Sequence, residues 1–138
     1  MIFLRSSIVK SHQSSLVKRC FSTQKFDSEM AYLYEKIAKN HYHECGPFHT
    51  ILKSIKKYRA GMSGDFRVLD LAAGNGEPSC MIAKEFPNAH VTCTDISEDM
   101  IALAEASTAK LPNVTVALAD MADLQFESNS FDLITCSY

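Results

Sequence analysis

Apolar positions recur along this chain with two different periods, and the change from one to the other marks where a sheet begins. From Phe26 to about Asn40, the residues Met30, Leu33, Tyr34, Ile37 and Ala38 fall at the i, i+3, i+4, i+7, i+8 spacing of one helical face. Gly46-Pro47 breaks that pattern. Phe48, Ile51, Leu52 and Ile55 then form a second helical stripe, which ends in the basic stretch Lys53–Arg59. Beyond a turn at Gly61–Gly64 the apolar residues come in short runs, as buried strands require: Phe66–Ala72, Ala89–Asp95, Val114–Ala119 and Phe131–Tyr138. Helical segments separate the first three, at Pro78–Phe86 and Glu98–Ala109, with Ser97 as N-cap of the latter and Glu98 and Asp99 favouring its first turn. Strands alternating with helices predict an α/β fold, a doubly wound parallel sheet with right-handed crossovers, preceded by two helices.

The junction of the first strand and its helix carries the chemistry. Val68-Leu69-Asp70-Leu71-Ala72-Ala73-Gly74-Asn75-Gly76-Glu77-Pro78 runs from an apolar strand through small residues into a helix start. The backbone N–H groups of such a helix N-terminus face a ligand. Gly74 and Gly76 supply the backbone freedom and the close approach that this needs. Nineteen residues after Gly76, the second strand also ends in an acid, Asp95. In doubly wound folds an acid at that place holds the two hydroxyls of a ribose, so an adenosine compound is expected. Asp70 narrows the choice, because a carboxylate just before the loop would repel a pyrophosphate and welcome a cation. S-adenosylmethionine carries both an ammonium and a sulfonium.

Asp70-Leu71-Ala72-Ala73-Gly74-Asn75-Gly76 resembles the first motif of the class I S-adenosylmethionine-dependent methyltransferases, with Ala72 where that motif most often has its first glycine. Val91–Ser97 resembles the family's ribose-binding segment, Ala117-Leu118-Ala119-Asp120-Met121 its adenine-binding segment, and Phe131–Tyr138 its fourth strand. Gly76-Glu77-Pro78 and Ser97-Glu98-Asp99-Met100 are similar to the branch that contains the quinone-biosynthesis methyltransferases. The resemblance implies a Rossmann-like sheet of strand order 3-2-1-4 and S-adenosylmethionine as cofactor. It implies a cofactor site of Asp70, Ala72, Gly74, Asn75, Gly76, Asp95, Ile96, Asp120, Met121 and Ser137. Asp70 would act through the loop and water on the cofactor's ammonium, Gly74 and Gly76 would admit its methionine portion, and Asp95 would hold its ribose. Ile96 and Met121 would lie against the adenine, Asp120 would accept its amino group, and backbone near Cys136 and Ser137 would face the methionine. No catalytic base is assigned, and the acceptor is expected to be a small molecule or a quinone-type lipid.

Charge changes the reading of the ends. Of the fourteen basic residues, Arg5, Lys10, Lys18, Arg19 and Lys25 lie within residues 1–26, which hold no acid. The remainder has nine against all sixteen acids, a net of −7, which argues against nucleic acid as a partner. The basic, serine-rich start resembles a mitochondrial transit peptide, with Arg19-Cys20-Phe21-Ser22 similar to an arginine-guided cleavage site; a disordered basic tail is the alternative. The expected organisation is therefore a leader or tail over 1–25, helices over 26–62, and the N-terminal half of a methyltransferase domain over 63–138. The fourth strand is expected to be left as an exposed edge, as in a truncated product or an incomplete gene model. Five irregularly spaced cysteines suggest neither disulfides nor zinc, and no apolar run is long enough to span a bilayer. His41-Tyr42-His43-Glu44-Cys45 is rich in metal ligands, but alternate helical residues diverge by about 200° and no metal is expected there. Two other classes stay open: a nicotinamide-dependent oxidoreductase, which would normally lack an acid at Asp70, and a non-catalytic methyltransferase-like fragment or assembly factor.

Overall fold

The computed structural model describes residues 2–4 and 47–136. Among these residues eight elements follow in order: β1 (Ile2–Leu4), α1 (Pro47–Arg59), β2 (Phe66–Leu71), α2 (Glu77–Glu85), β3 (Ala89–Asp95), α3 (Glu98–Thr108), β4 (Val114–Leu118) and β5 (Leu133–Cys136). The sheet order is β1-β5-β2-β3-β4. Strands β5, β2, β3 and β4 are parallel, which is the expected 3-2-1-4 order of the four predicted strands. The bounds of β2, α2, β3, α3 and β4 lie within one residue of the predicted ones, and β5 begins two residues later than predicted, at Leu133. The amphipathic helix expected before Gly46 and the His41–Cys45 cluster lie outside the described residues. Among the described residues no helix is long and apolar enough to cross a membrane.

Alternation along β2 places Phe66, Val68 and Asp70 on one buried face while Arg67 is exposed. That face packs with Ile82 and Ala83 of α2, Ala89 and Val91 of β3, Leu133 of β5, and Phe48, Ile51 and Ile55 of α1. Phe66 and Phe86 meet edge to face at 5.9 Å, and the Arg59 guanidinium lies 4.3 Å over the Phe66 ring. A second, smaller cluster of Ala73, Cys93 and Ala104 seats α3 behind the strand tips. Ser97 caps α3 as expected, its Oγ accepting from the Met100 N–H at 3.4 Å. Cys80, Cys93 and Cys136 are buried, and burial pushes the Cys93 thiol up to about 12.

One expectation about the sheet is corrected. The fourth predicted strand, β5, is not at an edge, because β1 pairs with it antiparallel, Ile2 opposite Thr135 and Leu4 opposite Leu133. An apolar strand with an open row of N–H and C=O groups gains from any extended segment that can complete its ladder, and Ile2-Phe3-Leu4 supplies one. The rest of the expected leader, residues 5–25, lies outside the described residues.

Candidate functional site

The carboxyl ends of β2, β3 and β5 converge on the loop that joins β2 to α2. Ala72 opens that loop with a φ of 50°, followed by Gly74 at 58° and Gly76 at 81°. Ala73 donates its N–H to the Thr94 carbonyl at 2.9 Å, and Gly76 closes a turn onto the Ala73 carbonyl at 3.1 Å. Gly76 is then the N-cap of α2, with Pro78 in the first turn, where its missing N–H costs nothing. A Cβ at Gly76 would come within 3.1 Å of both the Ala104 Cβ and the Ser107 Oγ, so close packing of α3, besides the positive φ, requires glycine there. Asn75 forms a side-chain turn, its Oδ1 accepting from the Glu77 N–H at 3.3 Å. Its carbonyl accepts from the Ser107 hydroxyl at 2.7 Å, which fastens the loop to α3.

Asp95 ends β3 half-buried beside this loop. Its two carboxylate oxygens accept from the Gly74 N–H at 2.9 Å and the Ser97 N–H at 3.0 Å. Each oxygen has a second lone pair, so Asp95 can orient the loop and still accept from the hydroxyls of a diol. Ile96 follows it with 47% of its surface exposed, a large apolar side chain open to solvent next to the strand tip. Asp120 is exposed and organises its own turn, accepting from the Ala122 N–H at 2.8 Å, with Met121 half-buried beside it. The predicted residues from Ala72 to Met121 thus gather around the strand tips, while Ser137 lies outside the described residues.

Asp70 ends the buried part of β2, two residues before the loop. It is fully buried; its carboxylate accepts from the Ser79 hydroxyl on α2 and from the Thr135 hydroxyl on β5, each at 2.7 Å. Burial raises its pKa above the ordinary carboxylate value, and the Thr135 and Ser79 hydroxyls pull it back. Ser79, Thr135 and Ser107 are the polar partners that sequence reasoning did not single out. Thr135 had a signal, since it is a lone hydroxyl within the apolar run Leu133–Cys136. A cleft of about 260 Å³ lies at the other end of the sheet, lined by Lys56, Arg59, Met62, Phe66, Phe86 and Asn88. Its cations are committed, Lys56 to Glu85 and Arg59 to the Gly64 carbonyl, so it does not compete with the strand tips as a site.

A glycine loop at the switch point of a 3-2-1-4 parallel sheet, with an acid at the second strand's tip, defines a Rossmann-like nucleoside-binding domain. Residues 68–138, just over half of the chain, match the methyltransferase domain family, and the chain belongs to that family. It is 40% identical over 72 residues to the demethylmenaquinone methyltransferase of Clavibacter sepedonicus, covering 52% of this chain and 29% of that one. It is 36% identical over 86 residues to the malonyl-[acyl-carrier protein] O-methyltransferase of Bacillus cereus, covering 62% of this chain and 31% of that one. The chain therefore spans about a third of the length of these relatives. Among solved structures, phosphoethanolamine N-methyltransferase 2 of Haemonchus contortus in complex with S-adenosyl-L-methionine superposes with a TM-score of 0.59. That match has 29% identity and covers 79% of this chain and 25% of the other.

Proposed function

We propose that the protein carrying this chain transfers a methyl group from S-adenosylmethionine to a small-molecule or quinone-type acceptor. The observation that carries the reading is the Gly74–Asp95 hydrogen bond, which sets a ribose-competent carboxylate against an open glycine loop. The residues present fit the cofactor: Asp95 keeps free lone pairs for the ribose hydroxyls, and Ile96 offers an exposed apolar surface to the adenine. Gly74 and Gly76 leave the loop backbone bare for the methionine portion. Bound there, S-adenosylmethionine would supply an electrophilic methyl for an acceptor's lone pair, with the electron pair of the broken methyl–sulfur bond left on sulfur. What the chain itself contributes is orientation at the crevice, the main source of acceleration for a transfer between two bound reactants.

The quinone and malonyl-carrier methyltransferases among the relatives act on different compounds, and the acidic body disfavours a nucleic-acid acceptor. Calorimetric titration of the full-length protein is expected to give S-adenosylhomocysteine binding and no NAD binding. Asp95→Ala should weaken S-adenosylhomocysteine by about 1.5–3 kcal/mol, the scale for losing a charged hydrogen-bond partner. NAD binding with no response to S-adenosylhomocysteine would favour an oxidoreductase and end this reading. Turnover with a demethylated quinone, measured by transfer of a labelled methyl group, decides the acceptor class.

A further inference from the structure

We propose that Ser79 and Thr135 are positioning residues which, through the buried Asp70 carboxylate, lock the two walls of the crevice and the glycine-loop helix into one geometry. The inference rests on the strand tips being the cofactor crevice. Asp70 has no exposed surface, and both of its carboxylate oxygens are already bonded to hydroxyls at 2.7 Å. One hydroxyl comes from Thr135, directly opposite Asp70 in the parallel register of β2 and β5. The other comes from Ser79, in the first turn of the helix that the glycine loop enters. The Asp70 carbonyl in turn accepts from the Thr94 hydroxyl on β3 at 2.9 Å. A single residue thus joins β5, β2, β3 and α2 at the end of the sheet where the ligand binds.

Ladder hydrogen bonds alone would hold β5 beside β2, and apolar contacts would seat α2 on the sheet. Neither fixes how far α2 stands from β5, whereas two short bonds to opposite oxygens of one carboxylate do. Sliding either element leaves a buried carboxylate oxygen without its partner, which is strongly unfavourable. The loop from Ala72 to Gly76 begins two residues after Asp70 and ends three before Ser79, so it is suspended between two points of this bridge.

The test uses the full-length protein with Thr135→Val, which replaces the hydroxyl by a methyl of similar shape, and Thr135→Ser, which restores the hydroxyl. Amide hydrogen exchange of the free protein is read at residues 71–76 and 133–136, with β3 and β4 as internal reference. S-adenosylhomocysteine affinity is read by calorimetry. Thr135→Val should speed exchange at those amides and weaken affinity, each by about tenfold, while Thr135→Ser stays within about twofold of the parent. Unchanged exchange and affinity in Thr135→Val would overturn the proposal, as would equal losses in Thr135→Ser. Ser79→Ala removes only the helix-side bond and should loosen residues 74–77. It decides the matter if Thr135→Val does not fold, and unchanged loop exchange in it would count against the bridge. Should the parent protein fail to bind S-adenosylhomocysteine, the cofactor reading falls, while the exchange data still decide whether the bridge holds the loop.

Discussion

Ala72 occupies a φ of 50°, a conformation that glycine adopts without the clash between Cβ and the following carbonyl. That clash costs about 1–2 kcal/mol, against about 0.4–1 kcal/mol for the extra unfolded-state freedom that glycine brings. Ala72→Gly is therefore expected to raise stability by a few tenths to about 1 kcal/mol in urea titrations. Gly76→Ala should lower it by about 1–3 kcal/mol, since the new methyl would meet Ala104 and Ser107 as well as an unfavourable φ. Asp70 makes a pH prediction. In the unfolded chain it ionises near its ordinary value of 3.8, but burial raises that value in the folded state, so the folded state holds the proton to higher pH. Its contribution is complete below 3.8 and is lost as pH rises through the raised folded value. Asp70→Asn cannot titrate, so the stability of the parent relative to this variant should fall across that window and level off above it, as measured by urea unfolding at a series of pH values. At this scale the sequence located Asp70, Gly74, Gly76 and Asp95, because strand-tip acids and loop glycines have fixed offsets. It could not show that Asp70 turns inward, because Ser79 and Thr135 become its neighbours only through the sheet register and the seating of α2.

Elements were legible wherever a period could be counted. β2, α2, β3, α3 and β4 follow from apolar runs, the Ser97 cap and Pro78, and their parallel order follows from alternation of strands with helices. The pairing of β1 with β5 was not legible, since three apolar residues have no period and their partner lies at the far end of the sequence. What the sequence did show was an apolar strand without alternation at Phe131, Leu133, Ile134 and Cys136, expected as an exposed edge. Leu133, Thr135 and Cys136 are buried and Ile134 is half-buried, the pattern of a strand covered on both faces. Deleting residues 2–4 should accordingly expose the outer ladder of β5. The expected result is faster amide exchange at residues 133–136 and concentration-dependent self-association by light scattering, with β3–β4 protection retained. Unaltered exchange at β5 would show that β1 contributes nothing to its protection.

Across the whole molecule, charge is segregated more sharply than the net of −2 suggests. The first 26 residues carry five basic groups and no acid, and the remainder carries a net of −7. A basic, acid-free, serine-rich start resembles the leaders that direct proteins to mitochondria, and we propose that destination for this one. The same stretch contains Ile2–Leu4, which the folded sheet uses as β1. The two roles exclude one another in time, because a leader must be free to be recognised, whereas β1 is held by β5. Processing near Phe21–Ser22 would then remove β1 and reopen the β5 ladder. Residues 1–26 fused to a fluorescent reporter should therefore accumulate in mitochondria with a new N-terminus near Ser22. Arg19→Ala should impair processing more than import, since the remaining basic residues still supply the leader's charge. Fused ahead of the folded domain, the leader should import more slowly than ahead of a domain whose β5 pairing is broken by Ile134→Pro, because β1 would no longer be sequestered. A diffuse cytosolic reporter with an intact N-terminus would refute the destination, and equal import of the two domain fusions would refute the competition between leader and strand.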